Sequence, residues 1–191
     1  DWAFAEKEQP VLADLGAGKS YLGFVLYDLF FAKQGRGLVY GVEARGDLVA
    51  TARRIAVESS FERMHFLEST ISAAQLPEMR ADVVTALHAC DAATDEAILF
   101  ALENDAKFVA LVPCCQAELA AELEGSKKPE RQLWRHPIQR RDFGPPLTNV
   151  LRGLFPESHG SKLRVTDTPG CGDPPQTEFL FGERLKRSYP P

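Results

Sequence analysis

Short apolar runs alternate in this chain with longer stretches in which apolar residues recur at helical spacing. The runs contain few polar residues, which is typical of strands buried on both faces of a sheet. They predict five strands: Val11–Leu15, Leu38–Val42, Met64–Leu67, Asp82–Leu87 and Lys107–Val112. The stretches between them predict helices over Tyr21–Phe30, Gly46–Glu58 and Asp91–Leu102, and a short helix or loop over Ile71–Leu76. Asp47 is a candidate N-cap of the second helix. This order predicts an α/β fold with a Rossmann-like, doubly wound, mostly parallel sheet and helices on both faces.

The regular alternation weakens after Pro113, where prolines and glycines become frequent. We expect helices and strands at Ala117–Leu123, Leu147–Phe155, Leu163–Thr166 and Glu178–Phe181, the last two being strands. A Pro- and Gly-rich segment, Pro169–Pro175, separates these two strands and favours a hairpin between them. The sheet should therefore end with a late antiparallel strand.

Length and composition favour a single globular domain over residues 1–191. The chain has 191 residues, 45% of them hydrophobic and 26% charged, which suffices for one core. No apolar run approaches the roughly 18 residues of a membrane span, so we expect no membrane association. No secretory leader is visible, which favours the cytoplasm, although the chain begins at Asp1 and residues can precede it.

The four cysteines favour reduced thiols over disulfides or zinc. They are Cys90, Cys114, Cys115 and Cys171, and adjacent cysteines such as the second and third seldom bridge each other. The Cys-x-x-Cys pairs of structural zinc sites are absent from the sequence, so we expect no metal.

The charge distribution argues against broad nonspecific binding of phosphate groups. The formal net charge is −5, whereas such binding requires clustered Lys and Arg. One basic cluster comprises Arg131, Arg135, His136, Arg140 and Arg141, with Arg152 following. A solvated helix face is the favoured interpretation, and a local nucleic-acid contact through the Arg131–Arg141 region is the alternative.

The most informative segment is the loop Asp14-Leu-Gly-Ala-Gly-Lys-Ser20 between the first strand and the first helix. Small residues and a helix N-terminus at the carboxyl end of a strand suit ligand binding in doubly wound folds. A P-loop would need glycine in place of Ala13, and a dinucleotide loop would need glycine in place of Tyr21. A close-packed turn without a ligand is a further alternative.

S-adenosylmethionine suits the loop better than these ligands. Asp14 would meet its ammonium group, the loop amides its carboxylate, and Glu43, at an exposed strand end, both ribose hydroxyls. The complete predicted cofactor set is Asp14, Gly16, Ala17, Gly18, Tyr21, Glu43, Ala44, Glu68, Ser69, Leu87 and His88. These residues follow or end the first four strands, whose carboxyl ends share one edge.

Four motifs together resemble a known family. They are Asp14-Leu-Gly-Ala-Gly-Lys-Ser-Tyr-Leu-Gly-Phe24, Leu87-His-Ala-Cys-Asp91, Val112-Pro-Cys-Cys-Gln116 and Thr148-Asn-Val-Leu-Arg152. They look like the class I methyltransferase domain of the glutathione-S-transferase C-terminal-domain-containing protein and its bacterial relatives. The resemblance implies a Rossmann-like fold and S-adenosylmethionine as cofactor. It does not imply a methyl acceptor, which stays open among RNA, protein and small molecules.

His88 and Asp91 are the candidate catalytic residues, because they follow the fourth strand at the same edge as the loop. His88 would act as general base, and Asp91 has a rival role as a helix N-cap. A covalent role for Cys114 or Cys115 is less favoured, since buried cysteines are common. The sequence thus predicts a methyltransferase, with a non-catalytic S-adenosylmethionine-binding or scaffold domain as the alternative.

Overall fold

The computed structural model describes residues 7–87, 92–113, 135–167 and 178–184, and it forms an α/β fold around one seven-stranded sheet. The strands are β1 Val11–Leu15, β2 Leu38–Glu43, β3 Met64–Glu68, β4 Val83–Leu87, β5 Phe108–Val112, β6 Ser161–Asp167 and β7 Glu178–Arg184. The helices are α1 Tyr21–Leu26, α2 Gly46–Glu58, α3 Ala92–Glu103 and α4 Pro137–Ser158. A 3₁₀ turn at Ile71–Ala73 completes these elements.

The strands lie in the order β3-β2-β1-β4-β5-β7-β6. The first five strands pair with one another in parallel, and β7 is antiparallel to both β5 and β6. The predicted Rossmann-like sheet and its late antiparallel strand are confirmed, as is the pairing of the two late strands with each other. The predicted helix Ala117–Leu123 lies outside the described residues.

Each face of the sheet has its own apolar core. Side chains such as Leu12, Val39 and Phe66 pack with residues of α1 and α2 on one face. Ala13 and Val84 belong to the other core, which includes residues of α3. Successive residues of β1 therefore enter different cores, which explains why the strand is apolar throughout rather than alternating.

The first helix differs from its prediction. After α1 the chain continues as a π-helical segment over Tyr27–Ala32. Tyr27 and Phe31 are both buried there, and their rings stack with centroids 6.3 Å apart. The wider π turn changes the angular spacing of side chains, and the apolar spacing of the sequence did not reveal it.

The last helix begins ten residues before the predicted position. Pro145-Pro146 favours a break, since each proline removes an amide donor from a helix, yet α4 runs through both. Pro137 occupies the first turn, where a missing amide costs little, and the His136 amide donates to Oε1 of Gln139. Beyond the prolines, Arg152 of α4 is buried and bonds Asp95 of α3, a tertiary contact that favours the helix there.

Two further predictions need correction. Asp47 lies in the first turn of α2 rather than at its N-cap, which is Arg45. Arg152 does not extend the exposed basic cluster: it is 5% exposed, and its Nε donates to Oδ1 of Asp95 at 2.6 Å. The apolar pattern around Arg152 gave no sign of this buried contact between α4 and α3.

Candidate cofactor site

The carboxyl ends of the parallel strands meet at one edge of the sheet. Leu15 at the end of β1 lies opposite Val42, and Glu43 at the end of β2 lies opposite Glu68 of β3. Thr85 of β4 lies opposite Asp14. The loops that follow these strands therefore begin side by side, in the position where doubly wound sheets bind ligands.

The loop after β1 has an unusual backbone. Gly16, Gly18 and Ser20 adopt φ values of 60°, 59° and 57°, which lie in the left-handed region. A Cβ atom at either glycine would have no neighbour within 4 Å, so conformation rather than crowding favours glycine there. The same open space leaves the loop accessible to a ligand.

Three amides of this loop are already engaged. The Ala17 amide donates to the Val42 carbonyl at 2.9 Å, and the Ser20 amide donates to the Ala17 carbonyl. The Gly18 amide donates to Oε2 of Glu43 at 2.8 Å. The bonds to Val42 and Glu43 fix the loop against β2. The sequence predicts that the loop amides bind the carboxylate of a ligand, but these three amides already have partners within the protein.

Asp14 lies beneath the loop. It is 2% exposed, its Oδ1 accepts from the Thr85 hydroxyl at 2.9 Å, and its Oδ2 accepts from the Ser20 hydroxyl at 3.2 Å. Burial raises the pKa of Asp14 to about 6, although the bonds from Thr85, Ser20 and the Gly23 amide lower it. Because this carboxylate is buried, it supports the loop rather than presenting an open face to an ammonium group.

Gly23 of α1 permits this arrangement. A Cβ atom there would collide with the Ser20 hydroxyl and would lie 3.2 Å from Oδ2 of Asp14. Ser20, Gly23 and Thr85 are not among the site residues that the sequence predicts. A glycine inside a predicted helix was the one available signal, because such a glycine is unfavourable unless packing requires it.

Glu43 links the first loop to the second. Its Oε2 accepts from the Gly18 amide, and its Oε1 accepts from the amide and from Nε of Arg45, both at 3.0 Å. Burial raises the pKa of Glu43, whereas the hydrogen bonds from Arg45 and Gly18 and the charge of Arg45 lower it. The lowering effects are together the larger, so the pKa lies below its ordinary value of 4.5. Glu43 is only 8% exposed, because both loops fold against it. The expectation that it lies at an exposed strand end is therefore wrong.

The other predicted residues lie along the same edge. Tyr21, Ala44, Glu68 and Leu87 are exposed, and Ser69 is half-buried with its amide donating to the Glu43 carbonyl. The Glu68 carboxylate lies against Gly46, where an added Cβ atom would be 2.7 Å from Oε1. The candidate site thus has two acidic side chains on adjacent strands, one held by backbone amides and one exposed.

The candidate catalytic residues lie outside the described part of the chain. This holds for His88 and Asp91 and for all four cysteines, so their predicted roles stay predictions. Within the described ranges, no group of His, Cys, Asp and Glu side chains is arranged to hold a metal ion. No helix of those ranges has the length and apolar character to cross a membrane.

A comparison with protein families identifies the class of this domain. A family model described as a methyltransferase domain matches residues 2–122, which is more than half of the chain. The chain therefore belongs to this methyltransferase family, and the prediction of a methyltransferase is confirmed. No curated protein sequence matches the chain.

Solved structures share the fold over most of the chain. An rRNA methylase from Streptococcus thermophilus aligns with a TM-score of 0.60 at 10% identity, over 96% of this chain and 92% of that one. A SAM-dependent methyltransferase from Aquifex aeolicus aligns with a TM-score of 0.57 at 16% identity, over 93% of this chain and 84% of that one. The magnesium protoporphyrin IX methyltransferase of Synechocystis, solved with bound SAH, aligns with a TM-score of 0.57 at 17% identity, over 93% of this chain and 74% of that one. The architecture is that of a class I methyltransferase.

Proposed function

We propose that this domain binds S-adenosylmethionine at the carboxyl edge of β1–β4 and transfers its methyl group to an acceptor. The observation that carries the proposal is the bond between the Gly18 amide and the Glu43 carboxylate. It joins a glycine loop to an acid on the next strand, in a chain of the methyltransferase family. Two solved structures of similar fold support the choice of cofactor, since one is described as a SAM-dependent methyltransferase and the other was solved with bound SAH.

In this proposal the ribose of the donor lies beside Glu43. A carboxylate can accept hydrogen bonds from both hydroxyls of a ribose, and such charge-assisted bonds are stronger than neutral ones. The open space above Gly16 and Gly18 admits the donor close to the backbone. Exposed Tyr21 and Leu87 would border the donor from α1 and β4.

The reaction requires alignment more than a strong base. The sulfonium of the donor is already activated, so positioning the acceptor atom in line with the methyl group can supply much of the rate. Any proton on the acceptor must be lost during transfer, and His88, directly after β4, is the proposed general base, with Asp91 as a candidate partner.

The acceptor is open among RNA, protein and small molecules. The proposed relationship to the methyltransferase domain of the glutathione-S-transferase C-terminal-domain-containing protein does not choose among them. A nucleic-acid partner would use the Arg131–Arg141 region, in which Arg135 and Arg141 are exposed. Cytoplasmic location and a single domain over residues 1–191 remain parts of this proposal.

A labelled-methyl assay tests the transfer itself. The domain would be incubated with tritiated S-adenosylmethionine and separate pools of RNA, protein and small metabolites. Incorporation into one pool identifies the acceptor class, and boiled enzyme is the control. A domain that binds the donor but labels no pool would instead support the non-catalytic alternative.

A further inference from the structure

The hydrogen-bonding capacity of the Glu43 carboxylate is largely used within the protein. Each carboxylate oxygen has about two acceptor sites. On Oε1 both are taken, one by the amide and one by Nε of Arg45. Oε2 accepts from the Gly18 amide, which leaves one site. The carboxylate can therefore accept one further donor without rearrangement, but not one on each oxygen.

A ribose diol needs one acceptor site on each oxygen for a bidentate contact. The backbone amides of Gly18 and Arg45 are fixed by the loops, whereas the Arg45 side chain is 67% exposed and can rotate into solvent. The Nε contact is therefore the bond that must break. From this geometry we infer that Arg45 competes with the ribose for Glu43 and weakens donor binding, an inference that rests on the proposed function.

The local structure favours this competition without requiring Arg45 for folding. Arg45 is the N-cap residue of α2, but its side chain makes no capping bond. Its backbone amide, which also bonds Glu43, would be retained in an alanine variant. After the guanidinium leaves, the two amide bonds still stabilise the anion that the ribose hydroxyls approach.

The pair joins the buried Glu43 carboxylate to an Arg45 side chain that is 67% exposed, so solvent screens it and its contribution is modest. Ion pairs that are open to solvent correspond to about 1.5–5-fold in an equilibrium constant. Replacing Arg45 by alanine should therefore tighten the binding of S-adenosylhomocysteine by about that factor. If Arg45 instead contacts the bound donor, the same substitution will weaken binding.

Calorimetric titration of the full chain with S-adenosylhomocysteine tests the inference. Arg54→Ala is the matched control, because Arg54 lies on α2, which Arg45 precedes as N-cap, and it is exposed and pairs with Glu58 rather than with Glu43. Arg45→Ala should tighten binding by about 1.5–5-fold while Arg54→Ala leaves the affinity unchanged. Equal changes in both variants would mean a general charge effect and would overturn the inference.

A double-mutant cycle shows whether the effect acts through Glu43. In the Glu43→Ala background, Arg45→Ala should leave the affinity unchanged, because the contested carboxylate is absent. The same tightening in both backgrounds, or no tightening in either, would contradict the inference. Failure of the wild-type chain to bind at all would instead refute the proposed function, so the two outcomes are distinguishable.

Discussion

The Gly18 amide and the Glu43 carboxylate are 25 residues apart in the chain and 2.8 Å apart in the structure. Their bond holds the loop after β1 against the end of β2. Glu43 therefore shapes the loop, and in the proposed function it also accepts hydrogen bonds from a ribose. A substitution at this residue should affect both folding and binding.

Glu43→Ala should lower the affinity for S-adenosylhomocysteine by about 10–150-fold, the equivalent of a charge-assisted contact of roughly 1.5–3 kcal/mol. It should also lower the free energy of unfolding by about 1–3 kcal/mol, because partly buried donors lose their acceptor. Titration calorimetry and urea unfolding measure the two effects. Glu43→Gln is the control, since its amide oxygen keeps one acceptor; unchanged affinity in Glu43→Ala would place the ribose elsewhere.

Gly23→Ala should destabilise the domain by about 1–3 kcal/mol, as overpacking does in other cores. Its new Cβ atom would push the Ser20 hydroxyl away from Asp14. Gly46→Ala is the matched control, because the atoms nearest to its Cβ atom would be those at the end of the exposed Glu68 side chain. Urea unfolding should show a large loss in the free energy of unfolding for Gly23→Ala and a small change for Gly46→Ala. Equal losses would contradict the packing argument.

The buried Asp14 should make stability depend on pH. Its pKa is raised from 3.8 to about 6 in the folded state, so the folded state holds the proton more tightly than the unfolded state. Protonated Asp14 therefore contributes roughly 1–3 kcal/mol to the free energy of unfolding. This contribution is present below pH 4 and is lost as the pH rises to about 6.

Urea unfolding from pH 4 to pH 8 would measure this dependence in the wild type and in Asp14→Asn, which does not titrate. The difference in unfolding free energy between the two should change between about pH 4 and pH 6 and stay constant above pH 7. A difference that is constant over the whole range would show that Asp14 keeps an ordinary pKa.

His88→Ala should reduce turnover more than it reduces donor binding. A general base typically contributes about 10²–10⁴-fold to a rate, whereas its removal leaves the ribose and loop contacts in place. Single-turnover rates with the identified acceptor, compared with the calorimetric affinity for S-adenosylhomocysteine, separate the two effects. Equal losses in rate and affinity would assign His88 a structural role.

Local signals in the sequence were sufficient for the five parallel strands. The strand bounds differ by at most one residue from those predicted for β1 to β5, since each strand is a compact apolar run between polar residues. Glu43 could be selected because it ends such a run. Its burial could not be predicted, because it depends on Gly18 and Arg45 folding against it from both sides.

Contacts between distant residues account for the remaining differences. Thr85 reaches Asp14 across 71 positions in sequence, and no local pattern indicates that bond. The start of α4 was misplaced because Pro145-Pro146 has an unfavourable local propensity that packing overcomes. The burial of Asp14 was not predicted for a similar reason, since its hydrogen-bond partners come from the loop, α1 and β4.

Titration of the wild-type chain with S-adenosylhomocysteine tests the central claim most directly. We expect saturable binding with one site, and we expect ATP and NAD to give none under the same conditions. Binding should also raise the melting temperature, since a ligand that binds only the folded state stabilises it by mass action. No heat of binding and no shift in melting temperature at millimolar S-adenosylhomocysteine would contradict the account.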